Sequence, residues 1–363
     1  MTTDLRSALK EQIDSVTPPL ADLELVVRRG KRRRRVRRAG TAVVVAGAVA
    51  ALVVPLTGRL GGPEQNTTVG DYASIGRLDF DEGLRAYADP GVEIHLGDRT
   101  FDAADLDYLD TDATATAFGV VFYDRGRPML LGESDEVTAL VEGPVESSEG
   151  FHPTAKADSQ APLVAWATLR DGTVTLTVRD MSTGEDAGAL DVACGDCDDL
   201  VIEALDEGFV FFRTSEGTRI WEVGRDVSFA FAGPQTRVVD VRSGVLLHDG
   251  PAPRSVDADR YLTIPAPIDA QLTFDGRYIL NWSSLLQPTR TTGNPVRLEE
   301  GPTKKGALGF WTVDTDGSVL VATLTGKYPE YAVFDCEVPS GSCAEVGPLE
   351  PTGGDPMFIG NDM

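Results

Sequence analysis

The feature that most constrains the fold is a series of short apolar runs, separated by tight turns, that fills the chain from about residue 80 onward. Segments such as "PLVAWATLRDGTVTLTVRD" and "GFWTVDTDGSVLVATL" each contain two such runs joined by a turn with glycine. The runs predict strands. Turns such as Arg170-Asp171-Gly172, Ser215-Glu216-Gly217 and Thr315-Asp316-Gly317 predict hairpins. Helical periodicity is nearly absent, so the predicted fold class is all-β.

The spacing of these runs indicates a β-propeller. One four-stranded propeller blade takes about 40–50 residues. A pair of β-sandwiches would give similar strands, but not six or seven units in one unbroken series. The predicted first strands of successive units are 34 to 57 residues apart. They begin near Leu106, Leu163, Val201, Val238, Leu272 and Leu308, and a last strand begins near Met357.

Strands from the two ends of this region are predicted to share one blade. The segment "LRAYADPGVEIHLGDRTF" offers two or three strands before the first complete unit, and "GGDPMFIGNDM" offers one after the last. Pairing them in one sheet would close the ring and leave no long unpaired edge. Six complete units and the shared one make seven blades. Six blades would follow if the N-terminal strands pair elsewhere.

Short motifs within the repeats resemble those of TolB-like and WD40-like propellers. The segment "LTFDGRYIL" is similar to their S-P-D-G-[RK]-x-[IL] turn, with Asp275, Gly276 and Arg277 in place and Thr273-Phe274 instead of Ser-Pro. The segments "TVRDMSTGE" and "AVFDCEVPSGSC" resemble their outer-strand phrase, apolar-x-D-x-x-[ST]-G. The resemblance covers residues 80–363 and implies architecture alone, because such propellers bind proteins, sugars or metals, or catalyse reactions.

A basic block followed by an uncharged stretch predicts a membrane anchor. Residues 39–58 carry no charge and are rich in Val, Ala and Leu. About 20 helical residues cross a hydrocarbon core of roughly 30 Å. Lys and Arg stay on the cytoplasmic side of such a helix. The block therefore orients the anchor with its N-terminus inside, through Arg28, Arg29, Lys31, Arg32, Arg33, Arg34, Arg35, Arg37 and Arg38.

Two other interpretations of the basic block fit less well. A cleaved signal peptide has a short positive region before its apolar core, whereas 38 residues precede this stretch and Leu56 lies where a small residue is needed. A nucleic-acid site would come with a basic domain or interleaved aromatic residues. Residues 1–38 have a net charge of +6 and the whole chain −24, so the remainder carries −30. We expect no nucleic-acid binding.

The predicted organisation has four parts. They are a cytoplasmic basic tail (1–38), a transmembrane helix (39–58), a polar linker (59–79) and an extracytoplasmic propeller (80–363). Within the tail, the apolar residues of 1–27 follow one helix face. That stripe is too short to form a core, so it is either a loose tail or a docking helix for a cytoplasmic partner. The overall plan resembles a group of actinobacterial single-pass membrane proteins.

Four cysteines, all beyond the predicted anchor, predict disulfides, because that side of a membrane is oxidising: Cys194, Cys197, Cys336 and Cys343. The segment "FDCEVPSGSC" places Cys336 and Cys343 on the two arms of a short reverse turn, within bonding range. For "CGDC", the flanks indicate strand, loop and strand, whereas a redox thiol pair needs a helix start. Zinc would need two further ligands. A local disulfide is favoured.

No catalytic group of residues emerges, and we predict no cofactor and no metal site. A G-x-S-x-G nucleophile elbow is absent. His95, His152 and His248 fall in different predicted blades. "DTDGS" (314–318) begins like a calcium loop but lacks the later ligands, so a β-turn is favoured. A cation at the acidic residues of "CGDCDDL", which are Asp196, Asp198 and Asp199, is the weaker alternative there.

One tryptophan in each of four units indicates core between blades: Trp166, Trp221, Trp282 and Trp311. The alternative is an aromatic platform for carbohydrate or peptide in the central channel.

Three functions are compatible with this sequence. The favoured one is a membrane-anchored binding or scaffold module for a protein or a cell-envelope ligand. The second is a transmembrane signalling component in which residues 1–27 hold a partner such as a sigma factor, although the H-x-x-x-C-x-x-C of zinc anti-sigma domains is absent. The third is a propeller enzyme that acts on carbohydrate.

Overall fold

A computed structural model describes the chain from Arg85 to Ile359 with gaps. All described residues belong to one compact unit, Gln65–Met363. No helix among them is long and apolar enough to cross a membrane. The predicted tail, anchor and linker lie outside the described residues. So do internal segments 90–92, 98, 103–112, 117, 133–136, 147–150, 152–154, 193–199, 254–259, 268, 282–283, 300–308, 325–329 and 350–356.

The described strands form seven sheets, numbered here as blades 1 to 7 in chain order. Blade 1 contains β1 (Tyr87–Asp89), β2 (Glu93–Leu96) and β3 (Arg99–Asp102) together with β27 (Met357–Phe358). Blade 2 contains β4 (Thr114–Thr116), β5 (Gly119–Asp124), β6 (Arg127–Leu131) and β7 (Val137–Ala139). Blade 3 contains β8 (Lys156–Ala157), β9 (Leu163–Arg170), β10 (Thr173–Asp180) and β11 (Glu185–Val192).

The remaining blades continue this series. Blade 4 contains β12 (Val201–Asp206), β13 (Phe209–Thr214), β14 (Gly217–Glu222) and β15 (Ser228–Ala232). Blade 5 contains β16 (Arg237–Arg242), β17 (Val245–Asp249) and β18 (Leu262–Pro265). Blade 6 contains β19 (Gln271–Leu272), β20 (Tyr278–Leu280), β21 (Leu285–Pro288) and β22 (Val296–Arg297). Blade 7 contains β23 (Phe310–Val313), β24 (Val319–Leu324), β25 (Tyr331–Cys336) and β26 (Cys343–Leu349).

The first strands of neighbouring blades contact one another around a common centre. These contacts run from β4 through β8, β12, β16, β19 and β23 to β27. The other strands of each blade follow outward in order. The fold is a seven-bladed β-propeller, which confirms the all-β prediction and decides for seven blades over six.

Ring closure joins the two ends of the propeller. Strand β27 pairs antiparallel with β1, so that Tyr87 lies opposite Phe358. Just before β1, the Arg85 backbone amide donates to Asp314 Oδ2 of blade 7 at 2.7 Å. The Arg85 guanidinium also contacts Asp335 at 2.9 Å. The predicted shared blade is therefore confirmed, and an ion pair reinforces it.

The hydrophobic core lies between blades. Trp166 belongs to a buried cluster shared by blades 2 and 3, Trp221 to one shared by blades 3 and 4, and Trp311 to one shared by blades 6 and 7. Each is at most 2% exposed. The inter-blade assignment of these three tryptophans is confirmed, and Trp282 lies outside the described residues.

One predicted blade boundary differs from the structure, and a second falls outside the described residues. The first strand of blade 3 is the two-residue β8, and Leu163 begins the second strand instead. A strand of two residues is too short to show alternation, which is why the sequence pattern skipped it. The first described strand of blade 2 begins at Thr114, and Leu106, near which its first strand was predicted, lies outside the described residues.

Blade 5 departs from the hairpin plan. Its third described strand, β18, pairs parallel to β17, with Val245 opposite Leu262. In the described residues this blade has three strands, one fewer than its neighbours. On blade 4, Phe229 lies opposite Ile220 of the core and is 46% exposed. In the described residues, blade 5 therefore has one outer strand fewer than its neighbours, and blade 4 exposes an aromatic side chain.

The disulfide Cys336–Cys343 is present, as predicted. It joins β25 to β26 at directly opposed positions of the ladder. The hairpin "FDCEVPSGSC" thus carries a cross-link at its turn. Cys194 and Cys197 lie outside the described residues, so their pairing stays a prediction.

Removing residues 357–363 should destabilise the whole propeller. The deletion removes β27, one of the two partner strands of β1, together with Phe358 and Ile359, which are 6% and 3% exposed. We expect Tm to fall by roughly 5–10 °C, since each lost kcal/mol costs a few degrees in a chain of this size. Calorimetry of the oxidised protein measures this. Deletion of residues 361–363 alone is the control, and an equal Tm for both deletions would contradict the closure.

Candidate functional site

The central channel holds a cavity of about 70 Å³. Residues of β4, β8, β12, β16, β19 and β23 line it. First strands of propeller blades run in the same direction along the channel. Residues at the ends of these strands therefore meet at one end, which we call the channel mouth: Ser159, Arg242, Phe274 and Thr315.

Arg242 is the main cation of the channel mouth. Its Nε lies 3.2 Å from Asp240 Oδ2 and 3.3 Å from Oδ1, and its guanidinium stands 5.1 Å from the centre of the Phe274 ring. Asp240 in turn accepts a hydrogen bond from the Leu272 amide at 2.8 Å. The guanidinium is thus held from two sides, while its Nη1 is buried without a hydrogen-bond partner in the described chain.

Ser159 of blade 3 also lies at the channel mouth. Its Oγ is buried and has no hydrogen-bond partner in the described chain. Beside it, Gln160 Nε2 lies 3.4 Å from the Phe274 carbonyl oxygen, so blade 3 reaches blade 6 over the channel mouth. The Ser243 hydroxyl donates to the same carbonyl at 3.2 Å. An unsatisfied buried polar group costs roughly 1–3 kcal/mol. Two of them at one mouth indicate a surface built to meet polar atoms.

Four aspartates at the ends of first strands fasten one blade to the next; we call them the clasp aspartates. They accept backbone amides of the following blade: Asp158 from Gly208 at 3.2 Å, Asp206 from Ser243 at 2.9 Å, Asp240 from Leu272 at 2.8 Å and Asp314 from Arg85 at 2.7 Å. A carboxylate that accepts backbone amides makes a strong, charge-assisted hydrogen bond. These contacts set the spacing of the blades around the channel mouth.

Burial changes the titration of acidic groups between blades 3, 4 and 5. It raises the pKa of Asp206 to about 6, against the pull of the Gly244 and Ser243 amides. It also raises the pKa of Asp158. Glu203, on β12, has its pKa raised to about 7 by burial, although Thr218 donates to it at 2.8 Å and Arg213 Nε lies 3.7 Å away.

The residues that the sequence singled out lie apart from the channel mouth or serve the fold. His248 is buried and its Nδ1 lies 3.2 Å from the Gly250 carbonyl oxygen. His95 pairs with Glu93 at 2.8 Å on blade 1. Asp314 is a clasp aspartate, and the Gly317 amide donates to its carbonyl, so "DTDGS" forms a β-turn. The described residues hold no group of three acidic, His or Cys side chains suited to a metal.

Other sequence candidates lie outside the described residues. They are His152, the acidic residues Asp196, Asp198 and Asp199, and the nine basic residues of 28–38.

Sequence reasoning missed the channel mouth. The one signal of the channel mouth in the sequence was the pattern Asp240-x-Arg242 at the end of a predicted strand. The same spacing occurs in Asp275-x-Arg277, where the two side chains pair on the exposed surface. Spacing alone therefore does not separate a channel pair from a surface pair.

Comparisons with known proteins concern the fold. TolB from Acinetobacter baumannii is 13% identical with a TM-score of 0.36, over 77% of this chain and 64% of TolB, so the chain spans less than two thirds of that protein. Regucalcin, a calcium-binding protein from Agrobacterium tumefaciens, is 14% identical with a TM-score of 0.28, over 54% and 72%. No family model and no curated protein sequence matches the chain.

The seven blades described above by themselves bear out the propeller architecture that the resemblance implied.

The stability of the propeller should fall as the pH rises from about 5 to 8. Glu203 has an ordinary pKa of 4.5 and a folded pKa of about 7. The folded state therefore holds this proton more tightly than the unfolded chain, and the advantage present below pH 4.5 is lost as the pH passes 7. Asp206 acts in the same direction up to about pH 6. We expect a loss on the order of 2 kcal/mol from Glu203.

Urea unfolding at pH 5 and pH 8, followed by tryptophan fluorescence, measures this loss. Glu203→Gln keeps an oxygen for Thr218 but cannot ionise, so its unfolding free energy should depend less on pH. Glu216→Gln, in the exposed β13–β14 turn, is the matched control. If Glu203→Gln kept the full pH dependence, the buried proton would not be its source.

Proposed function

We propose that this protein is a binding module that takes a ligand at the channel mouth of its propeller. One observation carries the proposal. The buried Arg242 Nη1 and Ser159 Oγ, from blades 5 and 3, line the same cavity without partners in the described chain. Polar groups that converge in a largely preformed concave site are typical of ligand recognition.

The surroundings of Arg242 support binding, because they fix the guanidinium before a ligand arrives. Asp240 and the Phe274 ring hold it from two sides. Asp240 is itself fixed by the backbone of blade 6. A side chain that is already ordered loses little conformational entropy when it binds, so its hydrogen bond contributes more to affinity.

We further propose that the propeller lies on the extracytoplasmic side of a membrane, held by residues 39–58, and that its ligand is a protein or a component of the cell envelope. The support is the basic block before a stretch of uncharged residues. The disulfide Cys336–Cys343 fits an oxidising compartment. A cytoplasmic partner for residues 1–27 stays a prediction.

Ligand capture should depend on Arg242. The full chain, purified in detergent and immobilised, is exposed to a cell-envelope extract, and retained molecules are identified by mass spectrometry. We expect Arg242→Gln to lose most of the capture, by about tenfold for one hydrogen bond to a charged donor. Arg277→Gln removes an exposed arginine from an otherwise similar Asp-x-Arg pair and should capture as the wild type does. Equal capture by both variants would refute the channel mouth as the binding site.

The orientation of the chain can be tested with reporter fusions. Alkaline phosphatase, which is active only outside the cytoplasm, should be active when fused after Met363 and inactive when fused after Arg38. The physical reason is the retention of the basic block on the inner side. A cytoplasm-dependent fluorescent protein at the same two positions gives the opposite pattern. Fluorescence after Met363 would place the propeller inside and reject the proposed topology.

A further inference from the structure

The charge around Arg242 constrains the kind of ligand. We propose, resting on the function above, that the channel mouth binds a neutral, hydroxyl-bearing group, the end of an uncharged saccharide, and that Asp240 makes the site select against anions. Asp240 lies 3.2 Å from Arg242 Nε and so neutralises the guanidinium locally. The donor Nη1 keeps its hydrogen atoms but has little net positive charge to offer an anion.

Nearby acidic groups strengthen this selection. Asp158 and Asp206 occupy the ends of the first strands of blades 3 and 4, close enough for the charge of Asp158 to raise the pKa of Asp206. Their oxygens accept backbone amides, and no arginine or lysine side chain of the described residues forms an ion pair with them. Lys156 is the other cation that lines the cavity. The acidic side chains that line the cavity itself are Asp240 and Glu203. An anion in the cavity would therefore be opposed by carboxylate charge, to which Asp158 and Asp206 add from the strand ends.

The hydrogen-bonding groups of the mouth favour hydroxyls. Arg242 Nη1 can only donate, whereas Ser159 Oγ can donate and accept. First strands also present the backbone N–H and C=O groups of their inner edges to the channel. A hydroxyl matches all of these, since it donates and accepts. A carboxylate only accepts and an ammonium group only donates.

The arrangement of these groups favours a compact sugar over a peptide. An extended peptide pairs along one strand edge, but Ser159, Arg242 and Phe274 come from blades 3, 5 and 6 and converge from different directions. A ring that carries hydroxyls on several sides fits such convergence. The partly buried Phe274, whose ring also contacts Arg242, adds apolar surface at the mouth, suited to the C–H groups of a sugar.

Calorimetric titration of the full chain tests this, in a detergent without a sugar headgroup. The neutral probes are maltose, cellobiose and diacetylchitobiose, the anionic probe is cellobiouronic acid, and the peptide probe is acetyl-tetraalanine-amide. We expect at least one neutral disaccharide to bind, and the uronic acid to bind about tenfold more weakly. Arg242→Gln should weaken the neutral sugar about tenfold, and Arg277→Gln less than about twofold.

Asp240→Asn tests the selection itself. The asparagine oxygen can still accept the Leu272 amide, so the blade contact persists. The freed guanidinium charge should narrow the preference for the neutral sugar over the uronic acid by about fivefold or more. Asp275→Asn, the surface counterpart, should leave the preference unchanged. If Asp240→Asn kept the full preference, Asp240 would not be the charge filter.

The remaining outcomes separate this inference from the proposed function. Should Arg242→Gln fail to fold, Ser159→Ala removes only a hydroxyl, and an unchanged sugar affinity in it would overturn the site. Binding of the peptide or the uronic acid in preference to all three sugars would overturn the ligand class. The same holds if no probe binds at all. In either case, capture from extracts that still requires Arg242 would leave the binding function standing.

Discussion

The whole structure depends on carboxylates that bond to the backbone of the neighbouring blade. Each clasp aspartate stands where a first strand ends, and its partner amide belongs to the next blade in the ring. Apolar burial between blades supplies most of the stabilisation, but it is not directional. The aspartates add the direction, because a hydrogen bond fixes distance and angle. They fix four of the contacts between neighbouring blades, including the closing contact at Arg85.

The candidate site depends on one of these contacts between blades. Asp240 does two things at once, since it accepts the Leu272 amide and holds Arg242. Arg242 is therefore held in place, Asp240 partly neutralises its charge, and its Nη1 has no hydrogen-bond partner in the described chain. A ligand site of this kind needs no loop of its own, because the contact that joins blades 5 and 6 also presents the donor to the channel.

Much of the fold was predictable from the sequence, because hairpin turns are local. Asp171 and Gly172 both adopt positive φ, of 50° and 70°, which is what a tight turn between twisted strands requires. The two-residue strand β8 was not predictable, since its pairing comes from the tertiary structure. The site was missed for a similar reason. Asp240-x-Arg242 and Asp275-x-Arg277 look alike in the sequence, and only the ring decides which pair faces the channel.

The outer described strand of blade 5, β18, lacks one backbone N–H donor on its outer edge. The amides of Leu262 and Ala266 donate inward to blade 5, so the alternate position, Pro265, faces outward. Proline has no N–H to offer there. A neighbouring molecule therefore finds fewer donors when it adds a strand along β18. The open side of blade 5 thus resists edge-to-edge polymerisation, which concentrates at unprotected strands.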